Sequence, residues 1–423
     1  MSKSAATSGV PITTMAALML AVFTVSIGYG VVLPLLPYVI ERLLGTGSGA
    51  VQVSRSTGLL TGIYTLALFL FAPIWGRISD RYSRRAVLFA GLGGFGATTL
   101  VFSFIESAGG LYGERFLSGL FAAAVTPVAL AVVADLATSE EARARRLTFV
   151  SLAGISGFLL GPMLGVFLTG RTSDLRPSSG AAGALAIPLA ATGVLALLAA
   201  AAVTATVSAT KPSEIMRKAG GSFEGQHAWL VPRLLGLAFV VSAGVGVFEV
   251  GLALRGKQDL GLTQYQIAAM FTECSLVMIV VQTIVFSPWV KPEATRWFVA
   301  PAFALLAAGL FLVPYASNFI LMLAVVAAVA ASAGILSPIL TYWISSKAGA
   351  AQGAELGKQT AAASLGVTVG SAAGGLLFDV AWLPNASFLL MTALTIVGFL
   401  MSISLPNLLF NRKSGVRVPS VQT

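Results

Sequence analysis

Among the charged side chains inside long apolar stretches of this 423-residue chain, three are clear candidates for function: Arg115, Glu249 and Glu273. On insertion scales an ionised group at the centre of a bilayer costs about 2.5–3.5 kcal/mol, so each needs a partner or a task. A carboxylate withdrawn from water holds a proton more readily, because desolvation penalises its charged form. Glu249, in Gly246-Val-Phe-Glu-Val-Gly-Leu252, and Glu273, in Met270-Phe-Thr-Glu-Cys274, are therefore candidates for reversible protonation at membrane depth. A nearby arginine would lower the proton affinity of such an acid or orient an anion. The plainer readings are that the acids lie near the headgroups and pair with Arg255 or Lys257. Arg115 would then snorkel to the interface or pair with Glu114.

No other reactive cluster accompanies them. The single histidine, His227, lies in a polar stretch, and the single cysteine, Cys274, has no base beside it. Metal ligation of the usual Cys/His kind and an intrachain disulfide are both excluded. No G-x-x-x-x-G-K-[ST] run signals a phosphate-binding loop. The sequence predicts neither an enzyme nor a cofactor or metal.

The elements that must position these groups follow from composition. The chain is 57% hydrophobic and 10% charged, with a mean hydropathy of +0.89. A soluble domain carries about 25% charged residues. This is the pattern of an all-α polytopic membrane protein whose solvent is the lipid bilayer. Twelve spans are predicted, over residues 14–40, 56–75, 86–105, 110–134, 147–169, 181–209, 230–254, 264–286, 297–315, 319–344, 355–378 and 385–410. About twenty residues at 1.5 Å each cross the hydrocarbon core. The first run is read as a span rather than a removed signal peptide, because it is long and lacks a convincing cleavage site.

The net charge of +10 sits in short loops between spans, which argues against a nucleic-acid partner. With both termini on one side, 19 of the 26 lysines and arginines fall in the segments facing that side or, as Arg233 and Lys358 do, at the adjoining ends of spans, and six fall in the opposite loops. The bias predicts cytoplasmic termini. The polar stretch 210–229 divides the chain into an N-terminal six-helix half, 1–209, and a C-terminal half with its tail, 230–423.

Between the second and third spans lies Gly76-Arg-Ile-Ser-Asp-Arg-Tyr-Ser-Arg-Arg85, read as a tight ten-residue cytoplasmic turn. It resembles the loop signature G-x-x-x-D-R-x-G-R-R/K of the major facilitator superfamily, with Ser83 at the second glycine. Leu111-Tyr-Gly-Glu-Arg115-x-x-x-Gly119 resembles that family's fourth-helix motif. Gly157-x-x-x-Gly161-Pro162-x-x-Gly165 resembles its antiporter motif, with Val166 at the last glycine. Gly28 to Pro37 resembles the first helix of the drug-exporting branch, which includes tetracycline exporters. Many members carry an acid where this chain has Val25, so a first-helix acid is not the proton site here.

The resemblance implies two parallel six-helix halves with a substrate site between them at the midplane. It implies proton-coupled efflux (antiport) of small amphiphilic or drug-like molecules by alternating access. The alternative is transport of a metabolite such as a sugar, siderophore or amino acid. Arg115, Glu249 and Glu273 become the proton-coupling set. Gly76, Asp80, Arg81, Arg84, Arg85 and Asp135 become a conformational latch. The plainer reading of the loop is topology alone, and that of Gly157, Gly161, Pro162 and Gly165 is close helix packing. Tyr29, Tyr64 and Gln282 are candidate cavity residues; Tyr342 and Trp343 are either that or interfacial anchors. The expected partners are a small-molecule substrate, protons and lipid. The expected state is a monomer in the plasma (inner) membrane.

Overall fold

The computed structural model describes residues 11–45, 49–104, 107–136, 140–175, 183–208, 229–285, 292–347, 352–380 and 385–410, with 287, 290 and 383. Among the described residues it is a bundle of helices without strands. They are α1 (Ile12–Val32), α2 (Leu36–Leu44), α3 (Ala50–Arg81), α4 (Arg84–Phe102), α5 (Ala108–Asp135), α6 (Glu140–Leu175) and α7 (Gly183–Thr206). After residues 209–228, which lie outside the described set, come α8 (Leu230–Gln258), α9 (Gln264–Val285), α10 (Val299–Leu312), α11 (Phe319–Lys347), α12 (Gln352–Leu376), α13 (Ala386–Ile403) and α14 (Leu405–Phe410).

Eleven of the described helices are long and apolar enough to cross a membrane. The twelfth spanning element is α12, whose Gly, Ser and Thr content lowers its hydropathy. It is seated against α3 and α8, so much of its surface answers to helix neighbours, while Val369 and Leu376 stay exposed.

Three sequence expectations are corrected. The first span is not one helix over 14–40: Pro34 and Pro37 cannot donate backbone bonds, and the chain turns at residues 33–35 before α2 begins. The stretch 76–85 is not a ten-residue turn. Nothing in Gly76–Arg81 breaks a helix, so α3 runs 32 residues to Arg81 and the connection is only Tyr82 and Ser83. The last span also breaks, at Ser404 ahead of Pro406.

Glycines decide which helices meet closely. A Cβ on Gly157 would strike the Phe23 carbonyl oxygen and the Ser26 Cβ, and one on Gly165 would strike the Val31 carbonyl. So α6 lies backbone to backbone against α1. The same seam recurs between α12 and α8: Gly366 faces the Phe239 carbonyl and the Ser242 Cβ, and Gly370 faces the Ala243 carbonyl. Phe23-x-x-Ser26 and Phe239-x-x-Ser242 hold matching places in the two seams. Small residues are what lets membrane helices approach this closely, where no hydrophobic drive separates helix from lipid.

Candidate site between the helices

We call the end of the bundle that carries Tyr82 and Ser83 the loop face, and the opposite end, where α3 begins at Ala50, the far face. Between them, α1 presents Tyr29 and α8 presents Glu249. The Tyr29 hydroxyl donates to Glu249 Oε2 at 2.7 Å. Tyr29 is held on both sides by aromatic rings: Tyr64 of α3 stacks on it at 5.1 Å between centroids and Phe158 of α6 at 5.9 Å. The Arg115 guanidinium of α5 lies 5.3 Å from the centre of the Tyr64 ring, within cation–π range. Glu114 grips that guanidinium from the other side, with Nε–Oε2 at 2.5 Å and Nη2–Oε1 at 3.0 Å. Glu114 is 0% exposed and Arg115 3%. The five side chains form one continuous contact path from α5 to α8.

Glu273, on α9, does not join this path by a hydrogen bond. Its Oε2 is buried without a hydrogen-bond partner among the described residues. The Cys274 thiol next to it is within electrostatic reach of both Glu249 and Glu273. A half-buried acid with an open acceptor can take a proton or a cationic group. Gln282 lies further along α9, half-buried. Arg255 and Lys257, the headgroup partners considered for the two acids, are engaged elsewhere. Arg255 pairs with Asp259 at 2.8 Å and donates to the Pro314 carbonyl. Burial pushes the Asp259 carboxyl up, and the Arg255 guanidinium pulls against it.

The far face is tied across the chain. Lys257 donates to Glu41 at 2.5 Å and to the Pro37 carbonyl at 2.9 Å, and stands 5.0 Å over the Tyr38 ring. Tyr38 donates to the Leu262 carbonyl at 2.5 Å. Ser54 donates to Asp379 at 2.5 Å and accepts from Gln258 at 3.2 Å. Below these ties α3 and α12 touch through Gly58 and Gly375: a Cβ on Gly58 would come within 2.5 Å of the Ser371 carbonyl and 2.6 Å of the Gly375 Cα. Two turns further on, Thr65 and Thr368 hydroxyls meet at 3.0 Å.

On the loop face Arg84 pairs with Asp135 at 2.5 Å and donates to Ser79 at 3.4 Å, tying the start of α4 to the end of α5 and of α3. Arg81 is exposed and Arg85 half-buried; a Cβ at Gly76 would meet open space. The Asp80 side chain lies outside the described residues. Of the remaining candidates, Gly157, Gly161 and Gly165 lie in the α1–α6 seam, where a Cβ on Gly30 would also come within 3.1 Å of Pro162 Cδ. Tyr342 is exposed, whereas Trp343 is buried and donates to Thr295 at 3.1 Å.

The sequence picked out Arg115, Glu249, Tyr29 and Tyr64 separately, and the structure brings them together. Glu114 enters the sequence reading only as the plainer partner for Arg115, and that pairing is present in the structure, although consecutive helical residues ordinarily diverge. The far-face pairs Glu41–Lys257 and Ser54–Asp379 were missed. Charges and hydroxyls at the ends of spans mark these groups as available for ties, but nothing in the sequence pairs them across more than 200 residues.

The described helices thus form a polytopic membrane bundle with buried charged and polar groups between helices and charge ties at its ends. The description Major Facilitator Superfamily matches residues 18–357, and the chain belongs to that superfamily of transporters. Multidrug resistance protein 2 of Bacillus subtilis (strain 168) is 28% identical over 364 residues, covering 85% of this chain and 87% of the relative. Multidrug resistance protein 1 of the same organism is 26% identical over 400 residues, covering 92% and 96%. The crystal structure of the human organic anion transporter MFSD10 (TETRAN) shares the fold, with a TM-score of 0.71 at 20% identity over 93% of this chain and all of that one.

Proposed function

We propose that this transporter exports small amphiphilic or drug-like molecules in exchange for protons. The observation that carries the reading is the Tyr29–Glu249 hydrogen bond, a carboxylate held at membrane depth by a group from the other half of the chain. Protonation of Glu249 removes its charge and weakens that bond; deprotonation restores both. A carboxylate whose cross-chain bond depends on its proton links proton occupancy to the relation between α1 and α8. Glu273, with its open oxygen, is the second acid of the coupling set, and Arg115 the cation that biases it. The matching seams α1–α6 and α8–α12 support rigid halves, 1–209 and 230–423, that rock about the site. Similarity to two multidrug resistance proteins supports drug-like cargo. The charge bias supports a loop face in the cytoplasm, with the far-face ties closing the outer side. The working unit is a monomer in the plasma membrane.

The test uses purified protein in liposomes with a trapped pH dye. A panel of antibiotics, cationic dyes and sugars is added under a pH gradient to wild type and Glu249→Gln. Substrate-dependent proton movement in wild type and not in the variant is the expected result. Proton movement retained by folded Glu249→Gln removes Glu249 from the mechanism, and transport of sugars alone makes the protein a metabolite carrier.

A further inference from the structure

Glu114 has a task beyond neutralising its neighbour. It is a carboxylate with 0% exposure on a span, set among Val39, Leu43, Phe102, Leu111, Leu185 and Leu189 around a cavity of about 20 Å³. That volume holds about one water. Burying an ion pair gives little net stability, because desolvation offsets the attraction, and apolar side chains of similar volume would serve as well or better. A structural account therefore leaves the pair without a reason.

We propose that Glu114 is a positioning residue for proton coupling. It pins the Arg115 guanidinium over Tyr64 and compensates its charge, so that Tyr29 and Glu249 meet an ion pair rather than a bare cation. The inference rests on the reading of Glu249 as the coupling carboxylate.

The geometry supplies both parts. The two-point grip fixes the guanidinium plane, which a single contact would leave free to turn. Arg115 then touches Tyr64, Tyr64 stacks on Tyr29, and Tyr29 bonds Glu249. Of the titratable and charged groups around Glu249, Tyr29 on α1 bonds it and Cys274 on α9 is within its electrostatic reach; Tyr64 on α3 and Arg115 with Glu114 on α5 connect to it through Tyr29, and Glu273 on α9 lies beside Cys274. Arg115 is the one cation of this set. Its effect on Glu249 is screened by Glu114, which holds it directly through two hydrogen bonds.

Removing Glu114's charge exposes that cation to the rest of the path. An uncompensated guanidinium on this path favours the ionised carboxylate, and the scale is set by two unit charges about 10 Å apart at an effective dielectric of about 20, whose interaction is equivalent to about one pH unit. Transport by Glu114→Gln should then need more acid on the proton-loading side, and its pH profile should move about one unit to lower pH, with substrate KM at saturating proton changed less than about twofold.

The experiment measures pH profiles of substrate-driven proton movement in liposomes for wild type, Glu114→Gln and Glu249→Gln, with thermal unfolding as the check of fold. A displaced profile in folded Glu114→Gln bears the inference out. A profile that superimposes on wild type overturns it and leaves the pair structural. Should Glu114→Gln not fold, Glu114→Asp carries the same measurement: it keeps the charge but retracts it by one methylene, and the same displacement, smaller, is expected, while a wild-type profile overturns the proposal. Coupling retained by Glu249→Gln fails the underlying reading instead, and that result is read from a different variant.

Discussion

The Lys257 ammonium and the Glu41 carboxylate stand 2.5 Å apart on segments 216 residues distant in the chain, and the same ammonium lies over the Tyr38 ring. One lysine thus gathers a carboxylate, the Pro37 carbonyl and an aromatic face from α2, while α8 carries it. Glu41 is half or more exposed, and exposed pairs are worth about 0.2–1 kcal/mol. Lys257→Gln should therefore loosen the far face modestly, raising its open population about twofold to fivefold. A cysteine placed near Gln258 and labelled from outside in intact cells measures it. Labelling unchanged from wild type would mean that this tie does not hold the face closed.

The glycine contact beneath it should be far less forgiving. At Gly58 and Gly375 the neighbours are backbone atoms, which cannot swing aside. Gly375→Val forces α3 and α12 apart where overpacking ordinarily costs about 1–3 kcal/mol. The expected outcome is normal insertion with turnover reduced at least tenfold, read as initial transport rate per folded protein. Gly357→Val, on the same helix with open space around its Cβ, is the control and should transport as wild type.

Much of this was legible in the sequence, for reasons that differ by residue. Arg115, Glu249 and Glu273 stand out because charge in an apolar run is costly, whatever the fold. The seams were legible as glycine spacing, since i, i+4 places small residues on one helical face. What was not legible is pairing across the chain. Nothing near Tyr29 marks it as the partner of a residue 220 positions away, and nothing in Ser54 points to Asp379. The extent of α3 departs from the expected turn for a local reason: charge does not by itself make a loop, and Arg77, Ser79 and Arg81 are compatible with a helix emerging from the bilayer. The hydropathy of α12 misleads in the opposite sense, because a helix packed against two others need not be as apolar as one facing lipid.

The loop face yields a separate expectation. Arg84 and Asp135 join α4 to α5 within the first 209 residues, so the pair by itself stabilises one half. Arg84→Ala should lower the unfolding midpoint by a few degrees and leave the substrate profile unchanged. Asp80→Asn, if the loop acts as a latch, should slow cycling with the unfolding midpoint retained. Comparing thermal unfolding with transport rate for the two variants separates the roles; equal effects of both on stability alone would reduce the loop to topology.

The sharpest mutation at the centre is Tyr29→Phe. It keeps the ring that Tyr64 and Phe158 clasp and removes only the hydroxyl that donates to Glu249. A hydrogen bond to an ionised carboxylate contributes about 1.5–3 kcal/mol, and one to its protonated form about half as much. Losing the hydroxyl therefore destabilises the ionised, bonded state more than the protonated one. Glu249 in the variant should stay protonated to higher pH, and the pH profile of proton release on substrate binding should move about half to one unit to higher pH. The direction is opposite to that expected for Glu114→Gln, although both residues lie on one contact path. Substrate-induced pH change in weakly buffered detergent solution reads this directly, and equal proton release by Tyr29→Phe and wild type would show that the hydrogen bond plays no part in coupling.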